Sequence, residues 1–163
     1  MCIRDRFVPG CNITDNVLVA FEILHYMKQK NSGHEGEVAL KLDISKAYDR
    51  VSWNYLRSRM VGMGFSEKWI KWVMLCVTTM SYSIFFQGSK IGPIIPTRGL
   101  RQGDLLSPYL FLLCVEGLSN ALKSAVENGL MKDCRICTPA PSITHLLFAD
   151  DSFLFFKATT CEA

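Results

Sequence analysis

A chain of 163 residues, 49% of them hydrophobic, is long enough for one well-buried core and hardly two. A formal charge of +3 does not by itself argue for a nucleic-acid partner, although acids gathered in one site would leave the remaining surface more basic than the total implies. No leader with an apolar core opens the chain, and the longest plain apolar run, Tyr109–Val115, falls far short of the ~20 residues of a membrane helix. Secretion and membrane spanning are therefore not expected, and an intracellular location is.

The first 14 residues read as irregular. Asp15 then caps a helix whose apolar positions Val17, Ala20, Phe21, Leu24 and Met27 recur at helical spacing. Asn31–Gly36 is a loop by composition, followed by the alternating strand Val38-Ala39-Leu40-Lys41-Leu42-Asp43. Ser52 is the expected cap of a helix with Trp53, Leu56 and Met60 on one face, stopped at Gly62 or Gly64. Ser66 opens another, with Ile70, Val73 and Val77 inward. Ser81–Gln87 alternates as a strand and turns at Gly88-Ser89-Lys90 toward Ile91–Thr97.

The stretch Arg98-Gly99-Leu100-Arg101-Gln102-Gly103-Asp104 is polar, glycine-bearing and doubly basic. Ser107-Pro108 follows as a cap with proline at the first helical position. The expected buried stripe of this helix is Leu110, Leu113, Cys114, Leu118, Ala121, Leu122 and Ala125, and Gly129 ends it. The apolar runs Ile143–Phe148 and Phe153–Phe156, broken by Ala149-Asp150-Asp151, read as a tight hairpin. Helices interspersed with antiparallel hairpins favour an α+β fold over a parallel sheet.

Seven cysteines, at 2, 11, 76, 114, 134, 137 and 161, are odd in number and scattered, which argues against a disulfide framework. Cys134-Arg135-Ile136-Cys137 has the spacing of half a zinc site, but only His145 and Cys161 follow to complete four ligands. Reduced, incidental thiols are the expected reading.

Two acids in a tight turn suit an ordinary surface turn when taken alone. Asp43 changes that reading, because it also closes an apolar strand. Acids at the ends of separate, largely apolar strands can converge to hold hard divalent cations through oxygen, the arrangement that phosphoryl transfer needs.

Three stretches carry a resemblance. Leu40-Lys41-Leu42-Asp43-Ile44-Ser45-Lys46-Ala47-Tyr48-Asp49-Arg50-Val51 resembles the first catalytic motif of reverse transcriptases, Arg98–Pro108 the second, and Phe148-Ala149-Asp150-Asp151 the third. They occur in family order, and the wording is most similar to non-LTR (LINE-type) retrotransposon enzymes, especially plant ones. Phe7-Val8-Pro9-Gly10 and Ile13-Thr14-Asp15-Asn16 match upstream. The resemblance implies a reverse transcriptase palm, an antiparallel sheet with helices packed on one face, plus part of the fingers. It covers about residues 7–160, so residues 7–163 are expected to be a partial reverse transcriptase domain and Met1–Arg6 a leader that does not resemble the family.

In that family the carboxylates of Asp43 and Asp150 and the backbone carbonyl of Ile44 are the expected ligands of two magnesium ions, with Asp151 more peripheral and manganese able to substitute. Tyr48 falls at the aromatic steric gate that excludes a ribose 2′-hydroxyl, although a packing aromatic would explain it outside the motif. Gln102 and Gly103 are expected to contact the incoming nucleotide, and Arg101 phosphate or template. The implied partners are an RNA template, a DNA primer and deoxynucleoside triphosphates.

Two departures stand out. Position 11 is Cys where relatives usually carry Arg, and the chain stops soon after the third motif, so a thumb and an endonuclease are expected elsewhere in a longer polyprotein. The resulting reading is an RNA-directed DNA polymerase fragment, weak or inactive alone. Its rivals are a maturase-like relative and a non-catalytic nucleic-acid-binding remnant. Intact Asp43, Asp150 and Asp151 favour the enzyme, and truncation favours the remnant.

Overall fold

A computed structural model describes residues 13–30, 36–136, 142–148 and 151–158. Its mixed helices and antiparallel sheets form two units, one of residues 1–45 with 118–163 and one of residues 46–117. The chain passes between them after Ser45 and again within the helix Ser107–Glu127.

In the first unit, β1 (Gly36–Asp43), β4 (His145–Phe148) and β5 (Asp151–Ala158) form a sheet of order β1-β5-β4, antiparallel throughout. Helix α1 (Ile13–Gln29) lies against β4. Ala20 and Ile23 of α1 meet Leu146, Phe155, Ile143 and Cys134 in one buried cluster, with Ala39, Phe148 and Phe153 packed onto it. The register explains this grouping: Ala39 faces Phe155 and Leu146 faces Phe153, and residues opposite one another project to the same side of a sheet. His145 therefore points to the other side, where its ring meets Ser119. Helix α1 packs on one face of this antiparallel sheet, as expected, and the Ser119 hydroxyl meets His145 on the other.

The helix boundaries at this end differ slightly from expectation. Asp15 sits in the first turn of α1 instead of capping it. The buried stripe runs through Asn16, Ala20 and Ile23, with Met27 packed beside them, and leaves Val17, Phe21 and Leu24 exposed. Asn16 displaces the apolar pattern because its side-chain amide donates to the Leu147 carbonyl at 3.3 Å, so a polar residue heads the inward face. The expected loop at 31–35 lies outside the described residues.

The second unit holds α2 (Ala47–Arg50), α3 (Trp53–Gly62), α4 (Glu67–Thr78), the hairpin β2 (Tyr82–Phe86) and β3 (Ser89–Ile94), and the start of α5 (Ser107–Glu127). Ser52 and Ser66 cap α3 and α4 by accepting the backbone N–H of Tyr55 and Trp69. Leu56, Met60, Ile70, Val73 and Val77 are buried, as their spacing predicts. Helix α3 ends in a Schellman motif, with the Gly64 N–H on Val61 and the Phe65 N–H on Met60. Gly129 closes α5 in the same way, through Val126 and Ala125.

Two details move by one residue or drop out. The hairpin turns at Gln87-Gly88, both at positive φ, with Phe86 opposite Ser89. Helix α5 begins at Ser107 itself, because the Leu106 carbonyl accepts the first helical bond from Leu110. Phe111 joins the buried residues of α5, whereas Ala121 is exposed. By length and composition alone α5 could cross a bilayer; Leu110, Phe111, Cys114 and Ser119 along it are buried.

Candidate active site

Strand β1 delivers Asp43 at its last position and β5 presents Asp151 at its first, and the register sets the two directly opposite. Paired residues of antiparallel strands stand roughly 4.5–5.5 Å apart at Cβ, so two carboxylates there repel. Lys41 precedes Asp43 by two residues and so shares its face. Its ammonium lies 3.0 Å from Asp151 Oδ2. Ile44 follows directly after β1, half-buried. Phe148 pairs with Asp151 across β4 and β5. Asp150, between them in sequence, lies outside the described residues.

Oxygen donors of this kind suit a hard divalent cation such as Mg²⁺ or Mn²⁺. Among the described residues, no group of three or more His, Cys, Asp or Glu side chains gathers, so the pair Asp43 and Asp151 would need Asp150 or a backbone carbonyl to complete a ligand set.

In the second unit the loop before α5 is fastened to α2 through the backbone. Gly99 N–H donates to the Val51 carbonyl at 2.8 Å and Leu100 N–H to the Tyr48 carbonyl at 2.9 Å. The Trp53 indole N–H donates to the Gly99 carbonyl at 2.8 Å. Gly99 has φ 94°, and a Cβ there would stand 3.0 Å from the Asp49 carbonyl oxygen, so only glycine passes this close to α2. Beyond that anchor Arg101, Gln102, Gly103 and Asp104 are exposed. Asp104 Oδ1 accepts the Leu106 N–H at 2.9 Å, shaping the approach to α5. Gly103 has φ 85° with open space where its Cβ would be, so its backbone conformation accounts for the glycine without any protein neighbour.

The Tyr48 ring is half-buried and stacked on Phe111, with centroids 4.7 Å apart and 14° between planes. Packing of this kind fixes the ring, which both the gate reading and the packing reading require. Nearby, Tyr55 Oη donates to the Cys114 carbonyl at 3.1 Å, and a Cβ at Gly117 would collide with that hydroxyl. Burial pushes the Cys114 thiol up to about 11, with the Arg59 guanidinium pulling weakly the other way.

Sequence reasoning singled out neither Lys41, Trp53 nor Phe111 for the site. Lys41 carries a signal that could have found it, since strand alternation puts it beside Asp43. Trp53 and Phe111 carry none, because their partners are distant in sequence. Cys134 sits in the apolar cluster of the first unit, where burial raises its thiol. Cys137 lies outside the described residues. Both ring nitrogens of His145 are engaged, Nε2 by Ser119 Oγ at 2.8 Å and Nδ1 by Thr144 Oγ1 at 2.7 Å.

Over residues 5–162 the sequence matches the reverse transcriptase (RNA-dependent DNA polymerase) family. The chain belongs to that family, whose members generally use divalent metal ions. It is 31% identical over 130 residues to a retrovirus-related Pol polyprotein from a type-1 retrotransposable element R2 of Popillia japonica, which covers 80% of this chain and 20% of that protein. It is 27% identical over 157 residues to a 149 kDa protein of transposon TX1 from Xenopus laevis, covering 95% of this chain and 12% of the other. An uncharacterized mitochondrial protein of Arabidopsis thaliana is 50% identical over 72 residues, 44% of this chain and 59% of its own length. These relatives agree with the non-LTR, LINE-type resemblance, and the last agrees in part with its plant-like wording. The chain spans between 12% and 59% of their lengths.

Proposed function

We propose that this chain carries the palm and part of the fingers of an RNA-directed DNA polymerase from a LINE-type retrotransposon, working inside the cell on an RNA template, a DNA primer and deoxynucleoside triphosphates. The observation that carries the reading is the register of β1 against β5, which sets the acid of the first motif opposite an acid of the third. Asp43, Asp150, the Ile44 carbonyl and, more peripherally, Asp151 would hold two magnesium ions, for which manganese could substitute. Bound there, the ions would supply charge neutralisation for the triphosphate and a lowered proton affinity at the primer 3′-hydroxyl.

The chain's own part is to position and to exclude. Asp43 and its partners fix where the primer end and the α-phosphate meet, and proximity of that kind accounts for many orders of magnitude in rate. Arg101, Gln102 and the backbone at Gly103 are exposed on a loop whose base is pinned by Trp53, as a triphosphate contact requires. Tyr48, held flat on Phe111, would reject a ribose 2′-hydroxyl. The thumb and the endonuclease of the polyprotein belong to the same proposal.

The test is magnesium-dependent extension of a primed RNA template by a chain continued through the downstream thumb. Asp150→Ala should abolish extension, and Tyr48→Ala should admit ribonucleotides that the parent excludes. The 163-residue chain alone should extend little, because a charge of +3 gives weak general attraction to nucleic acid. Extension that survives Asp150→Ala would refute the site. A continued chain that binds primed template without extending it would mark a non-catalytic remnant.

A further inference from the structure

Lys41 has no role assigned in the motif, yet its ammonium is ion-paired to one of the two opposed acids. Asp43 and Asp151 face each other across β1 and β5, and Lys41 lies opposite Phe153, one pair further along the same face. It is diagonal to Asp151, within reach of a long side chain. The pair is at the surface, with the two side chains 54% and 36% exposed, where an ion pair adds little stability to a fold. Its value lies in what the ammonium occupies.

We propose that Lys41 is the resident counter-ion of this acidic pair: its ammonium holds the Asp151 carboxylate when no divalent cation is bound, and a cation must displace it to reach that oxygen. The inference rests on the metal-binding reading given under Proposed function. The ammonium supplies the positive charge that two carboxylates set opposite each other in a sheet call for. Competition of this kind also explains why the residue is lysine. An ammonium on a flexible four-carbon stem is a point charge that swings away, whereas a guanidinium grips a carboxylate with two parallel hydrogen bonds and releases it reluctantly.

The experiment is Mn²⁺ binding to the 163-residue chain, followed by electron paramagnetic resonance of the free ion, so no catalysis is needed. Lys41→Met should bind Mn²⁺ roughly three- to tenfold more tightly than the parent, the size of one nearby charge at a solvated site. Lys41→Arg should bind it more weakly than the parent. In an Asp151→Asn background, Lys41→Met should lose most of its effect, since the competition is for that carboxylate. An unchanged or weaker affinity in Lys41→Met, a Lys41→Arg protein that binds as tightly as Lys41→Met, or an effect that persists without Asp151 would each overturn the proposal. Asp43→Asn separates the two levels. If it abolishes Mn²⁺ binding while Lys41→Met changes nothing, only the role of Lys41 fails. If the parent binds no Mn²⁺, or binds it regardless of Asp43→Asn, the metal reading fails and the Lys41 proposal falls with it.

Discussion

The β1-β5-β4 sheet and the β2-β3 hairpin are both antiparallel, and both are legible in sequence, β1 and β2 as alternation and β4 and β5 as short apolar runs, yet they differ in what they bury. Phe155 of β5 is 0% exposed and Leu146 and Leu147 of β4 are buried, whereas every residue of β2 and β3 is exposed, Phe85 at 76%. The three-stranded sheet has α1 on one face and Ser119 against the other, so its register is fixed by a packed core. The hairpin has two edges and no described cover, and Pro93 withholds one N–H from it. The acids proposed for catalysis thus ride on the element whose register is most strongly determined.

The contrast breaks if aromatic truncations in the two regions cost the same. Phe155→Ala should cost about 3–5 kcal/mol in denaturant unfolding, as for other buried aromatics. Phe85→Ala should change stability by less than ~0.5 kcal/mol, as exposed substitutions do. A large loss at Phe85 would mean that the hairpin is covered in solution.

Next in size is the alkaline limb of stability, which sharpens the contrast by showing that residues 46–117 bury their own core on helices. Cys114 is raised from 9.0 to about 11 in the fold, so its contribution is fully present below pH 9 and is lost as pH climbs from 9 to 11. The effect is on the order of 2 kcal/mol. Denaturation midpoints should hold steady up to pH 9 and fall above it, and Cys114→Ala should flatten that fall. A midpoint equally pH-dependent in Cys114→Ala would assign the limb to other groups.

Smallest is Trp53→Phe, which removes one hydrogen bond to Gly99 and should cost about 1 kcal/mol. Its signature is local. Hydrogen exchange should quicken at the Gly99 and Leu100 amides and stay unchanged along β5. Exchange that quickens everywhere would show that the indole supports the fold at large instead of the loop.

What was readable in the sequence follows from how local each signal is. Ser52, Ser66, Gly64 and Gly129 act within one helical turn, and in the structure the two serines start helices and the two glycines stop them. The stripe of α1 was shifted because Asn16 is inward through a bond to Leu147, 131 positions away, and no periodicity encodes that partner. The hairpin alternates in sequence without burying either face, since alternation marks a strand and only a third element supplies burial. At the candidate site, the opposition of Asp43 to Asp151 follows from strand ends, but Phe111 beneath Tyr48 and Trp53 on Gly99 depend on tertiary packing alone.

Under the proposed function, acids of the first and third motifs form one metal site. A crystal of the chain grown with Mn²⁺ and measured at the manganese edge tests it directly. Anomalous peaks are expected bound by Asp43 and Asp150 carboxylate oxygens and the Ile44 carbonyl, with two ions roughly 3.5–4 Å apart. Asp43 and Asp150 carboxylates standing well over ~8 Å apart, with no anomalous peak between them, would contradict it.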